Sequence, residues 1–349
     1  MRKALYWTGG ILAIVATVVI VGPRPDTGTL SGQLPMVTTN LVALEQEIKQ
    51  REANNPQIKP DNQARIVWAD STKKEKTPYS MVYLHGFGAS QGEGAPVHTM
   101  LAERYGCNLY LARLKEQGIE SDSAFKSLTA ENLLASAREA VAIGYALGEQ
   151  VVVVATSTGG ALGLVIAGEN PDLAGLILYS PLIAPYDEQL YMLNQPWGVQ
   201  VMETSLGADH LINERRGLTK QYWSRYYHIN GYVTLAVLVD ETMNEETFRK
   251  VECPVFLGYY YKSEEKQDNV VSVPAMHPMF EQLGTPSTKK RKVAFPEAGN
   301  HVIASYIRSH DWRGVYQATD AFLQEVMNLT PVTTVEAPSY AAIEPEKDD

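Results

Sequence analysis

From Ala64 onward the chain alternates short, continuously apolar runs with longer stretches in which apolar residues recur every three or four positions. The runs ARIVWA, YSMVYLHG, CNLYLARL, VVVVA, AGLILYSPL, CPVFLGYYY and KRKVAFPEA predict strands, with the lysine-rich DSTKKEKTP as the turn between the first two. LVALEQEIKQREANN sets Leu41, Leu44 and Ile48 at helical spacing and predicts a short amphipathic helix. TAENLLASAREAVAIGYALG predicts a longer one, with Thr129 as N-cap and Gly148 just past its end. Another helix is expected from Gly159. Strands that are apolar throughout, alternating with helices, describe a mostly parallel central sheet with helices on both faces, an α/β fold. Between Ile183 and about Val251 the strand pattern stops, so a helical insertion is expected over about 183–250, within a body spanning 61–328.

The ends read differently. Arg2 and Lys3 precede Ala4–Gly22, about nineteen residues without a charge, close to the length that crosses a bilayer as a helix. The run ends Val-Ile-Val-Gly-Pro, with no small-residue cleavage site of the Ala-x-Ala kind. Residues 1–22 are therefore expected to be a membrane anchor, with a cleaved signal peptide as the alternative. Cations before the span leave the N-terminus in the cytoplasm and the body on the extracytoplasmic, periplasmic side. Residues 23–60 read as a linker followed by the short helix. Residues 329–349, acidic and poor in large apolar groups, are expected to be disordered.

With 349 residues, 45% of them hydrophobic, the chain can bury a large core. A formal net charge of −10 argues against nucleic acid as a partner, because phosphates require a basic face. No zinc-ligand spacing, His-Glu-x-x-His or Walker loop occurs, so no metal or cofactor is expected. Cys107 and Cys253 each precede an apolar run and read as buried thiols rather than a bridge.

The candidate chemistry starts at VVVVATSTGGALGLVIA, where Ser157 stands between a strand and a helix. A tight strand-to-helix turn presents a hydroxyl, needs small residues two before and two after it, and directs the next amide at the site. Ala155, Gly159 and the Thr158 amide meet those needs, although Ala155 replaces the commoner first glycine of G-x-S-x-G. A plain structural turn has the same outline, so the rest of the chain must decide. In YLHGFGAS a strand runs into His85-Gly86-Phe87-Gly88, where the Phe87 amide is a second candidate oxyanion donor and His85 a loop-orienting residue. In KSEEKQDNVVS, Asp268 is the candidate acid, with Glu264 and Glu265 as rivals. In PEAGNHVIAS, His301 follows a Gly-Asn turn and opens what reads as the final helix; His277 is its rival as base.

The order Ser157, Asp268, His301 is that of the α/β-hydrolases. On these motifs the chain resembles that superfamily, most of all its bacterial carboxylesterase and monoacylglycerol-lipase-like members, over roughly residues 60–325. The resemblance implies the α/β-hydrolase fold, with a cap in place of the insertion. It also implies Ser157 as nucleophile, His301 as general base and acid, Asp268 as orienter, and Phe87 and Thr158 as the oxyanion hole. The expected activity is that of a serine hydrolase on small-molecule esters or lipid-like substrates. Two other readings stand beside it. One is an aminopeptidase or amidase, in which Asp187, Glu188 or Glu203 holds an amine; the other is a non-catalytic binding protein. Tyr186, Tyr191, Met192, Trp197, Met202, Tyr222, Trp223, Tyr226 and Tyr227 form either the insertion's own core or an apolar lid.

Overall fold

The computed structural model of the protein describes residues 21–335. Its strands are β1 (Arg65–Val67), β2 (Thr77–Leu84), β3 (Asn108–Leu111), β4 (Gly148–Thr156), β5 (Gly175–Tyr179), β6 (His210–Ile212), β7 (Tyr226–His228), β8 (Val255–Tyr259), β9 (Tyr261–Ser263), β10 (Lys266–Gln267) and β11 (Lys290–Ala294). Seven of them form one sheet in the order β1-β3-β2-β4-β5-β8-β11. Within it only β1 runs antiparallel, pairing with β3 at the edge. ARIVWA and YSMVYLHG are therefore not bonded to each other; β3 separates them.

Alternation along the central strands accounts for two cores. Val82, Leu84, Val151, Val153, Ala155, Leu176 and Leu178 face one side. Met81, Tyr83, Val152, Val154, Ile177 and Tyr179 face the other. A strand buried on both faces has no polar position to spare, hence the unbroken valines. Helices Leu41–Ala53, Ala130–Leu147, Thr158–Glu169, Ile229–Thr242 and Val273–Gln282 supply buried residues to the first side. Val97–Arg104 and Trp312–Glu325 supply them to the second. Thr129 caps its helix through a reciprocal bond with Asn132, and Gly148, just beyond, opens β4 directly. Cys107 and Cys253 are buried free thiols, pushed up to about 12 by desolvation.

The insertion departs from expectation in one respect. It holds helices Gly198–Leu206, Gly217–Tyr222 and Ile229–Thr242, but also the antiparallel ribbon of β6 and β7. Three-residue strands are too short for a period-two signal to register. CPVFLGYYY is likewise not one strand: it breaks at Tyr260 into β8 and β9, and β9 folds back on β10 with an irregular register. The final helix starts at Trp312, not at His301. Residues after His301 are instead bound to the loop after β2: Ser305 Oγ donates to the Gly92 carbonyl at 2.7 Å and the Tyr306 amide to Ala95 O at 3.0 Å. Those tertiary bonds occupy groups that a helix would have used internally.

Residues 23–37 have no regular structure yet lie along the body. Arg138 binds the Leu30 carbonyl and the Trp197 amide donates to Pro23 O at 3.0 Å. The expected anchor lies, apart from Val21 and Gly22, outside the described residues, as does the tail from 336. The first part of the stretch expected to be disordered is instead packed on the body, with Leu329 buried in the second core and the Val332 amide donating to Arg104 O at 2.8 Å. Among the described residues no helix is long and apolar enough to cross a membrane.

Candidate active site

Ser157 sits where β4 turns into the helix Thr158–Glu169, with φ 54° and ψ −118°. A positive φ at a residue with a Cβ costs roughly 1–3 kcal/mol and persists only where the surroundings enforce it. Here the Ser157 amide donates to Tyr179 O at 3.0 Å, and its carbonyl accepts from Leu182 at 2.9 Å and Gly160 at 2.9 Å. A Cβ on Gly159 would lie 2.1 Å from the Leu84 carbonyl oxygen, so no larger residue fits there. The methyl of Ala155 is accommodated without crowding the helix: even a Cβ built on Gly163 would stand 3.7 Å from it, an ordinary contact. The Thr158 N–H is first in its helix and has no internal acceptor.

Asp268 follows β10 and is fully buried. Its Oδ1 accepts the amides of Val270 at 2.9 Å and Val271 at 3.1 Å, and its Oδ2 lies 2.6 Å from His301 Nδ1. A carboxylate only accepts, so Nδ1 carries the hydrogen and Nε2 is left with its lone pair. Burial of the imidazole works to lower its pKa, but the Asp268 charge and hydrogen bond outweigh that, and the net shift is upward.

The loop after β2 supplies the third part. His85 is buried; its Nε2 accepts the Leu114 amide at 3.2 Å and its Nδ1 lies 2.9 Å from Gly86 O. Desolvation lowers it to about 4, so it stays neutral and holds the loop. The Phe87 ring packs on Phe125, Tyr227 and Tyr232 with centroids 4.7, 5.5 and 5.5 Å apart. The Phe87 amide has no acceptor among the described residues. Gly88, at φ 70°, touches the cap so closely that a Cβ would stand 2.4 Å from the Tyr227 hydroxyl.

Ser157, Thr158, Phe87 and His301 all line one cavity of about 670 Å³. That lies within the range of ligand pockets, about 300–1,000 Å³. Leu182, Leu190, Leu193, Met202, Trp223 and Tyr232 give it apolar walls. The insertion's aromatic and methionine residues divide accordingly. Met202, Trp223 and Tyr227 line the cavity, whereas Tyr186, Met192 and Trp197 are exposed elsewhere. Of the acids considered for an amine, Asp187 lines the cavity, and Glu188 and Glu203 do not. Glu264 and Glu265 bind their neighbours Tyr261 and Ser263 on the exposed hairpin. His277 packs on Tyr259, outside the cavity lining. Sequence reasoning missed two buried polar residues at the site, Glu93 and Gln117. Glu93 ends the short 3₁₀ helix Gln91–Glu93 and Gln117 lies in a loop, neither with a motif around it, so only the fold reveals them.

No family model matches the chain, and no curated protein matches it. Among solved structures it is similar to a metagenome-derived lipolytic enzyme of the LipS and LipT pair, at TM-score 0.61 and 17% identity over 77% of this chain and 99% of that one. It is also similar to a soluble variant of the Saccharomyces cerevisiae monoglyceride lipase, at 0.56 and 14% over 90% and 100%. A third is the Paleococcus ferrophilus monoacylglycerol lipase, at 0.53 and 15% over 73% and 97%. The chain has the α/β-hydrolase fold. In α/β-hydrolase terms, β4 carries the turn with Ser157, β8 leads through the hairpin to Asp268, and the loop after β11 carries His301.

Proposed function

We propose that the protein is a serine hydrolase that cleaves carboxylic esters through an acyl-enzyme on Ser157. The observation that carries this reading is the buried Asp268–His301 pair, whose histidine lines the same cavity as Ser157 on its positive-φ turn. In the mechanism, His301 Nε2 takes the proton as Ser157 Oγ attacks the substrate carbonyl. The oxyanion is received by the amides of Phe87 and Thr158, neither of which is committed elsewhere among the described residues. His301 then protonates the leaving alkoxide. Water repeats the sequence on the acyl-enzyme and restores Ser157. Apolar walls on a cavity of about 670 Å³ suit a short or medium acyl chain, or a lipid-like ester.

The test is a panel of p-nitrophenyl esters and aminoacyl anilides, together with a fluorophosphonate probe. Wild type is expected to turn over the esters and take the label, and Ser157→Ala to do neither. Anilides turned over faster than esters, with sensitivity to Asp187→Asn, would favour the amidase reading instead. Label retained by Ser157→Ala would place the nucleophile elsewhere.

We also propose that Ala4–Gly22 anchors the protein in a membrane with the hydrolase body on the extracytoplasmic side, a reading supported by its length, its lack of charge and the cations before it. Carbonate-washed membranes should retain the protein, and protease should reach the body in spheroplasts. A free protein shortened by the whole segment would show a cleaved signal peptide instead.

A further inference from the structure

A second buried acid stands at the cavity wall. Glu93 is 3% exposed and touches the same space as Ser157 and His301. Its Oε2 accepts the Gly86 amide at 2.5 Å, and the Tyr83 hydroxyl lies 3.5 Å from it. Tyr83 in turn lies 3.0 Å from Thr156 Oγ1, the residue before the nucleophile. A Cβ placed on Gly86 would be 2.8 Å from Glu93 Oε1 and 3.0 Å from Ser157 Cβ, so the acid and the serine both close on that α-carbon. On the other side of Phe87, the Gly88 amide donates to the buried Gln117 Oε1 at 2.7 Å. The two amides flanking Phe87 are thus tied by buried side chains, while the Phe87 amide between them binds nothing among the described residues. Buried backbone N–H groups are almost always paired. One left open at a cavity, between two that are clamped, is an arrangement that aims a donor.

Resting on the ester-hydrolase reading, we propose that Glu93 is a positioning residue: it holds Gly86 so that the Phe87 amide points at the oxyanion, and its carboxyl tunes the neighbouring His301 imidazole. A glutamine would satisfy the first role alone. The second follows from charge. Burial pushes the Glu93 carboxyl up to about 7, against the Gly86 hydrogen bond and the His301 charge, which favour the ionised form. Once ionised, it favours the protonated imidazole. Tyr83 from β2, Tyr227 from the cap, Arg308 from the loop after His301 and Asp268 behind the imidazole face the pair, and Arg215, bonded to Tyr227, and Asp187 line the same cavity.

The test compares Glu93→Leu and Glu93→Gln in the full chain with p-nitrophenyl butyrate, alongside an NMR titration of the His301 ring. Glu93→Leu should lose about 10²-fold in kcat with KM changed only a few-fold, because a misaimed oxyanion donor acts on the transition state. Glu93→Gln should recover most of that loss. It should also shift the acidic limb of kcat/KM and the His301 titration to lower pH by about half a unit or more, since it cannot carry the charge. Wild-type kcat in Glu93→Leu, or an unmoved His301 titration in Glu93→Gln, overturns the proposal. If Glu93→Leu fails to fold, the Glu93→Gln limb and titration decide. If wild type hydrolyses no ester, the ester reading falls, and the His301 titration, which needs no substrate, still judges Glu93.

Discussion

In the loop after β10, Asp268 gives one oxygen to two backbone amides and the other to His301, so every strong contact has a donor at 2.6–3.1 Å. In the loop after β2, Glu93 is nearly as buried but has one short donor, the Gly86 amide, and one phenol at 3.5 Å. The two carboxyls share a chemistry, a degree of burial and a neighbour in His301. They differ in how many donors the backbone turns toward them. With so few donors to offset desolvation, burial pushes the Glu93 carboxyl up to about 7. The site thus places one carboxyl on the Nδ1 side of the imidazole and a second, raised by burial, elsewhere on the cavity wall.

The severest way to break this contrast is Asp268→Asn, which keeps the shape but removes the carboxylate that fixes Nδ1–H. A loss of about 10⁴-fold in kcat is expected, as when a triad histidine takes the wrong tautomer. Steady-state kinetics on the folded variant checks it; a loss under tenfold would mean that Asp268 does not orient His301.

The pH profile sharpens the contrast further. On the proposed mechanism His301 acts as base only when neutral, and its pKa is raised, burial opposing and Asp268 prevailing. Activity should therefore fall as pH drops through a midpoint above the ordinary imidazole value of about 6.5, as read from kcat/KM against pH. A midpoint below that value would show burial prevailing over Asp268.

Gln117→Ala tests the other end of the loop clamp. It strands the buried Gly88 amide, at a cost of about 1–3 kcal/mol in stability, and should lower kcat several-fold. Thermal melts and kinetics on one preparation check both. The smallest effect is expected from Glu264→Gln or Glu265→Gln, whose carboxylates are exposed on the hairpin before Asp268. Activity should stay within about twofold of wild type, the usual reach of surface substitutions.

Much of the scaffold was legible because it depends on local pattern. Valines buried on both sheet faces, Thr129 opening a helix and small residues around Ser157 each leave a signal within a few positions. Asp268 stands apart from Glu264 and Glu265 in the sequence by its place after the charged run, and in the structure it is the one of the three buried against His301. The short ribbon of β6 and β7 was not legible, because three residues carry no period. Nor was the loop after His301, where His301-Val-Ile-Ala-Ser reads as a helix start but bonds to the 92–96 segment instead.

The sequence by itself determined the alternation of strands and helices and the two-sided core, and offered a candidate serine, acid and histidine in that order, because each follows from neighbours along the chain. Only the tertiary structure decided that Asp268 meets His301 across 33 positions, that Phe87 keeps an amide unclaimed among the described residues, and that Glu93 and Gln117 clamp the amides on either side of it. Those outcomes turn on which buried donors find acceptors. Because an unpaired buried polar group costs as much as several weak contacts, that pairing is settled by the packing of distant loops against one another.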